Sequence, residues 1–546
     1  MALAIVVSFI LNFRAVYDRK PDINGDNIHY FLLAKALSEG KGFVNTFGPE
    51  VTPHMHFPPG YPAFMSVFMK VFPDNIAAMK ILNAVLLICS LLLLFRILRK
   101  ITGGNTLLAF LTCLACTFHP ELLRWSTMMM SEMLYLFISL CIIALCIEID
   151  MGKAFAGEKK QWGMLFLLAL LVGSAYLVRT MGLSVILAAA LSFFCIGAKY
   201  FIQRKQEGAE KGRWWKAWCA AAVVILALVV TWGAWNIRNQ VVSPGHRSEY
   251  FNDFMRKDNG ETMSGLADWT ARLKSNTMTF TTYYIPHSLL DAAHVLHVHA
   301  PKKGSVKGWL VGLLVLGLML WGLLSCRRGR VLLISYFVIT FGVLLLYPEQ
   351  FGGVRYFVTL IPLMIFALFA GIWQVFEQVG KLFPLKMRPA IPAVLLAAFA
   401  LAFLLPAYHR DQKMYRDNAK VQSFLQLEAK NPIRQYVEAA LWIKENGRGN
   451  VIVACRKPEM MYFYSGFHAI NLPRYGTPDE VMDFLKKSKA QVVVIDTWFK
   501  HAYLTVYPAV RANASQFIPL FRTEKVDPPT FVLMYNPDGR AAIRRE

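Results

Sequence analysis

The sequence predicts a polytopic α-helical membrane protein of about eleven transmembrane helices, followed by a small α/β domain. Three observations carry that expectation. Of 546 residues, 56% are hydrophobic and only 17% are charged, a balance too apolar for a soluble protein of this size. Apolar runs approaching the roughly 20 residues that cross a bilayer recur as far as Pro406. From Tyr408 onward they stop, and short helix and strand patterns replace them.

In chain order the apolar segments are 2–13, 77–98, 107–123, 128–149, 162–178, 181–198, 214–235, 306–325, 331–347, 356–376 and 391–406. The first is shorter than a span and has no basic leader, so it reads as a helix whose start is missing or as a signal-like segment. Arg96, Arg99 and Lys100, then Lys153, Lys159 and Lys160, the cluster from Lys199 to Lys216, Arg327, Arg328 and Arg330, and Lys381, Lys386 and Arg388 mark every second loop. Those loops are expected on the cytoplasmic side. Facing outward are then a first loop at 14–76, a second large loop at 236–305 and everything after the last span. The chain divides into a membrane part, 1–407, and an extracytoplasmic α/β domain, 408–546.

Within the first outer loop, "GDNIHYFLLAKALSEGKGF" begins at Gly25 and puts a single acid, Asp26, at the head of a helix. The expectation is an amphipathic helix lying on the bilayer surface, with Asp26 either a plain N-cap or a working carboxylate. In the C-terminal part, "EAALWIKENG" and "TPDEVMDFLKKSKA" read as helices, and "NVIVAC" and "AQVVVID" as buried strands. Cys113 and Cys116 form a CxxC inside an apolar run, where packing is the expected role. The charge of +23 suits anionic lipid and phosphate-bearing substrates and implies no nucleic acid.

The topology makes a prediction that no single motif makes. Asp26, Glu132, Arg179, Arg238 and Arg355 all fall at or beside the outer ends of membrane helices, where the positive-inside tendency would not place arginines. Ionisable groups near membrane depth usually face an internal cavity. Carboxylates opposite arginines suit a site that takes a proton from a nucleophile and holds a phosphate leaving group. Competing readings remain for each: snorkelling for the arginines, and helix-dipole complementation for Glu132 after Ser131 in "MSEMLYL".

"GDNIHYFLLAKALSEGKGF", "HFPPGYPAF", "SEMLYL", "YLVRTMGL", "WNIRN" and "RYFVTLIPL" follow one another along helices one to ten. In that order they resemble the bacterial GT-C glycosyltransferases, the group that contains aminoarabinose transferase and protein O-mannosyltransferase. The resemblance implies a GT-C-like fold and a polyprenyl-phosphate sugar donor, with inverting transfer on the outer face to a lipid, glycan or protein acceptor. It also implies that Asp26, at the family's acidic motif, is the general base. Asn27 stands where a second acid is common, leaving that role open among Glu132, Asp22 and Glu121. Phe57-Pro58-Pro59 stands where relatives carry Lys-Pro-Pro, so His54 or His56 is left to meet the phosphate with Arg179, Arg238 and Arg355. Tyr30, Trp235 and Tyr356 are expected in the substrate cavity, although Trp and Tyr at helix ends also form the ordinary aromatic belt. His54, His56 and the run His294, His297 and His299 are of a type that ligates a divalent metal, against the commoner solvated loop histidine. The alternative functions are transport of a lipid-linked saccharide and polysaccharide ligation or polymerisation.

Overall fold

The computed structural model describes residues 1–21, 26–203, 213–245, 249–257, 261–290, 303–348, 353–384, 387–388, 390–402, 417, 420–473, 475–498, 502–524 and 526–538. Asp22 and the histidine run 294–299 lie outside them.

The helices are α1 Ala2–Val16, α2 Asp26–Ser38, α3 Gly60–Met69, α4 Ile76–Ile101, α5 Thr106–Phe118, α6 Pro120–Ser126, α7 Glu132–Glu148, α8 Met151–Phe155, α9 Lys159–Val178, α10 Gly182–Gln203 and α11 Arg213–Val242. They continue with α12 Glu249–Phe254, α13 Leu266–Thr279, α14 Ile285–Leu290, α15 Val306–Leu324, α16 Arg330–Leu346, α17 Val354–Phe357, α18 Ile361–Gly380 and α19 Ala390–Ala402. After these come α20 Pro432–Asn446, α21 Pro458–Ser465, α22 Pro478–Lys487 and α23 Tyr507–Ala512.

Among the described residues each of the eleven apolar segments contributes a helix, but fewer than eleven of these helices are long enough to cross. Among the described residues six helices pass on length and composition, or seven if α5 and α6, bent by 63° at His119-Pro120, count as one span. Pro120 has no N–H to continue the ladder and begins the new axis. The 17 residues of α7 and of α16 reach about 25 Å, short of a core about 30 Å thick. In this integral membrane protein, six or seven helices among the described residues are long and apolar enough to cross, against the eleven expected.

The α17–α18 span is the centre of the bundle: 89% of its apolar window is buried, against 17% for α11. Glycines make that possible. A Cβ on Gly371 would lie 2.0 Å from the Leu318 carbonyl oxygen, and one on Gly322 2.0 Å from that of Ala367. Only glycine lets α15 and α18 approach backbone to backbone.

In the first loop, β1 (Val44–Asn45) and β2 (Thr52–Pro53) pair antiparallel between α2 and α3. The expectation that α2 is amphipathic is not met. Ile28, Tyr30, Phe31, Leu32, Leu33, Ala34 and Ala36 are all buried, covering every face of the helix. A helix apolar all round needs partners all round, and α2 has α3 on one side and α21 of the C-terminal part on another.

The C-terminal part is α/β. Its sheet has the order β4-β3-β5-β7-β6, with β3 Val453–Cys455, β4 Ala469–Asn471, β5 Val492–Ile495, β6 Phe517–Arg522 and β7 Phe531–Tyr535. β3 is parallel to both β4 and β5, while β7 runs antiparallel to β5 and to β6. β3 and β5 are buried throughout, as strands covered on both faces must be. α22 opens with a capping box, Thr477 and Glu480 each satisfying the other's backbone N–H.

Candidate active site

Four charged side chains from four separate segments meet at one end of the helical bundle. Arg355, in α17, donates from Nη2 to Asp26 Oδ2 at 2.9 Å and from Nε to Glu132 Oε1 at 3.3 Å. Arg179 Nη1 lies 2.7 Å from the same Glu132 oxygen and donates to Ser131 Oγ at 3.2 Å. Trp125 stacks on Arg355, the guanidinium carbon 5.6 Å from the ring centre, and donates its own N–H to Glu121.

Local structure explains each placement. Arg179 ends α9 in an extended conformation, and α10 begins at Gly182, where a Cβ would lie 2.4 Å from the Ala175 carbonyl oxygen. The hairpin closes because that Cβ is missing, and the arginine at its tip turns inward. Gly60 of "HFPPGYPAF" likewise allows α3 to abut the end of α9, its Cβ position lying 2.8 Å from the Leu177 carbonyl. The turn before Glu132 is pinned by Asn83, whose amide donates to the carbonyls of Met128 and Met130. Asp26 begins α2 and is held by the α2–α3 packing.

A cavity of about 1290 Å³ opens on this cluster. Asp26, Arg179 and Arg355 line it together with Tyr30, His56 and Tyr356. Glu132 is fully buried behind this wall; Oε1 holds both arginines, and Oε2 has no hydrogen-bond partner among the described residues. Burial pushes the Asp26 carboxyl up, but the charge and hydrogen bond of Arg355, helped by Lys457 and His56, outweigh it and hold the group below the usual carboxylate range. Burial drives the Tyr30 phenol up to about 12, so it stays a neutral hydrogen-bonding group.

Three expected site residues are used elsewhere. Arg238 donates to the His54 carbonyl at 2.6 Å and to that of Phe43 at 3.4 Å, tying α11 to the first loop instead of reaching the cavity. Trp235 stacks on that guanidinium at 5.2 Å. His54 donates from Nδ1 to Asn45 Oδ1 at 2.8 Å and accepts the Phe57 N–H at Nε2, so neither ring nitrogen is open to a phosphate or metal. Burial, with His29, His56 and Arg238 nearby, takes its pKa down to about 2. Among the described residues, no group of three or more His, Cys, Asp or Glu is arranged to hold a metal ion. Cys113 and Cys116 are buried, free thiols.

Sequence reasoning missed Trp125, Tyr176, Trp232, Arg256 and Tyr347, the last four on the cavity wall. Trp125, Tyr176 and Tyr347 sit in or near helix ends, where an aromatic belt is the default, and Trp232 lies inside the apolar run of α11. Arg256 follows α12 in the second large loop, to which no acid or arginine set had been assigned.

Residues 56–235 match the family model described as dolichyl-phosphate-mannose-protein mannosyltransferase, and the chain resembles the GT-C glycosyltransferases in this region and in overall fold. ArnT of Cupriavidus metallidurans bound to undecaprenyl phosphate superposes at a TM-score of 0.57, with 11% identity over 99% of this chain and 97% of that one. The apo form of the same protein gives 0.58, with 11% identity and 98% of both chains covered. The oligosaccharyltransferase AglB of Archaeoglobus fulgidus, solved with an inhibitory peptide and a dolichol-phosphate, gives 0.49 at 11% identity, covering 96% of this chain and 73% of that one. No curated protein matches the sequence.

Proposed function

We propose that the chain is a glycosyltransferase that moves a sugar from a polyprenyl-phosphate donor to an acceptor on the extracytoplasmic face of the inner membrane, with inversion. The observation that carries this reading is Arg355 spanning Asp26 and Glu132 at the wall of the cavity. The family model's mannosyl-phosphate description and the undecaprenyl phosphate in the ArnT structure support the donor class. On this reading 1–407 is the transferase, and 408–546 is an extracytoplasmic domain on the acceptor side, with the loop 236–305 beside it.

The chemistry follows from the charge count. Asp26 and Glu132 balance Arg179 and Arg355, so an incoming phosphate must share cations that are already engaged. Arg355 can turn from Asp26 to the phosphate while Glu132 keeps it in place. Asp26 then loses the partner that depresses its basicity and becomes a better acceptor for the nucleophile's proton. The acceptor oxygen bonds to the anomeric carbon, the bond from that carbon to the phosphate oxygen breaks, and the proton passes to Asp26. Arg179, Arg355 and Arg256 meet the charge that gathers on the departing phosphate, and no strong general acid is needed. Glu132 orients the two arginines and need not touch substrate. Trp232, Leu228 and Val229 give the same cavity an apolar side suited to a lipid chain.

The test is purified full-length protein with undecaprenyl phosphate and a panel of its sugar derivatives. Saturable binding of undecaprenyl phosphate and its release from one derivative, both lost in Arg355→Ala, are expected. Binding of undecaprenyl phosphate unaffected by Arg355→Ala and Arg179→Ala would refute the phosphate site.

A further inference from the structure

The C-terminal sheet unit and the helix bearing Asp26 meet at one turn. β3 ends at Cys455 and α21 begins at Pro458, and β3 has a parallel neighbour on each side. The carboxyl end of such a strand is where α/β sheets gather functional groups. Here that turn is directed at α2.

The contacts are specific. Glu459, in the first turn of α21, places Oε1 3.5 Å from His29 Nδ1, with the two side chains 18% and 13% exposed. His29 Nε2 lies 2.9 Å from Asn45 Oδ1, an acceptor, so Nε2 carries a proton; burial disfavours the charged ring, so the Nδ1–Glu459 contact holds the other edge only through one proton shared between Nδ1 and Oε1. Phe463 meets Phe31 edge-on at 5.9 Å, and Ala469 N–H donates to the Phe47 carbonyl at 2.8 Å. The turn is fixed from behind by the Tyr436 hydroxyl, which donates to the Lys457 carbonyl at 2.8 Å. The charge of Lys457 reaches Asp26 and helps hold it ionised.

Apolar packing alone would join these helices more favourably. Glu459 Oε2 is buried with no hydrogen-bond partner among the described residues, and placing a carboxylate there costs more than an apolar contact of the same volume. What the carboxyl group adds, through the proton it shares with Nδ1, is direction. His29 is one turn along α2 from Asp26, so a contact that fixes the rotation of the ring fixes the rotation of the helix and the aim of the acid.

We propose that Glu459 of the C-terminal unit is a positioning residue for the transfer reaction, acting through His29 to set the orientation of α2 and hence of Asp26. The inference rests on Asp26 being the base. The groups that face His29 are Glu459 from α21, Asn45 from β1, His54 and His56 from the segment before α3, and Asp26 on its own helix.

The experiment uses full-length protein with the undecaprenyl-phosphate sugar of that panel from which it releases undecaprenyl phosphate, takes that release as the rate, and compares Glu459→Ala, His29→Gln, the double variant and Glu459→Gln. Each of the first two is expected to lower kcat about tenfold while the Kd for undecaprenyl phosphate stays within about twofold. The double variant should lose no more than the worse single variant, because both remove one linkage. Glu459→Gln, whose amide N–H can donate to Nδ1, should recover most of the rate. Wild-type kcat in both single variants, losses that multiply in the double, a loss confined to donor affinity, or no recovery in Glu459→Gln overturns the proposal. If Glu459→Ala does not fold, His29→Gln alone decides: an unchanged kcat overturns it. Asp26→Asn, run alongside, separates the two readings. An active Asp26→Asn defeats the base assignment, whereas an inactive one beside fully active Glu459 and His29 variants defeats only the positioning role.

Discussion

Glu132→Gln isolates the charge of the buried carboxylate without changing its size. In the wild-type protein one oxygen of that group holds Arg179 at 2.7 Å and Arg355 at 3.3 Å, and the side chain has no exposure to solvent. Removing one partner of a buried ion pair costs roughly 3–5 kcal/mol, because the other charge is left uncompensated. The lower end applies here: Arg355 keeps Asp26 and Arg179 keeps Ser131. A loss of about 3 kcal/mol should appear as a clear drop in Tm of the detergent-purified protein. The same substitution removes a competitor for the phosphate, so undecaprenyl phosphate should bind Glu132→Gln at least as tightly as wild type. Ligand at about 100 times its Kd would restore about 2.7 kcal/mol, so the Tm gap between variant and wild type measured without ligand should not widen when ligand is present. An unchanged Tm in Glu132→Gln would refute the buried ion cluster. A variant that loses ligand binding while keeping its Tm would show that Glu132 acts on substrate directly.

Three further outcomes follow from the same geometry. Asp26→Asn should lower kcat by about 10²–10⁴-fold, the usual worth of a general base, with little change in Tm, since the carboxylate is partly exposed and the amide oxygen can still accept from Arg355; substantial residual turnover would remove the base assignment. Arg179→Ala should weaken undecaprenyl phosphate binding about tenfold or more, as loss of a charge-assisted hydrogen bond does, and an unchanged Kd would return the residue to a structural role. His54 is buried neutral with its pKa taken from 6.5 to about 2. The unfolded chain therefore binds a proton that the folded one refuses, and stability should be full above pH 6.5 and fall by about 1.4 kcal/mol per pH unit below it. His54→Gln should flatten that acid slope in Tm against pH, and an identical slope would show that other groups set it.

What was legible in the sequence was local. Apolar runs marked every membrane helix, "NVIVAC" and "AQVVVID" contain β3 and β5, and "TPDEVMDFLKKSKA" contains α22 with its capping box. Asp26, Glu132, Arg179 and Arg355 were grouped by their places at helix ends, which is also a local signal, and in the structure their side chains meet. The burial of α2 was not legible, because its second partner, α21, lies more than 400 positions along the chain and nothing within α2 signals it. Arg238 shared the sidedness of the other arginines, yet the carbonyls of Phe43 and His54 lay closer than the cavity. β6 and β7 escaped notice because the antiparallel pairing of β7 onto β5 and of β6 onto β7 depends on partners, not on a period within either segment.

The close approach of α15 and α18 bears on how the site behaves in membranes of unequal thickness. A lipid-facing helix such as α11 answers a thicker or thinner bilayer by tilting, because its length must match the hydrocarbon it sits in. The span that carries Arg355 has protein on nearly every side and is joined to its neighbour at glycines that leave no slack. Lipid does not set its angle. The outer helices can therefore rock with the bilayer around an inner post that stays still, and the arginine at the top of that post keeps its distance from Asp26 and Glu132 while the rim moves.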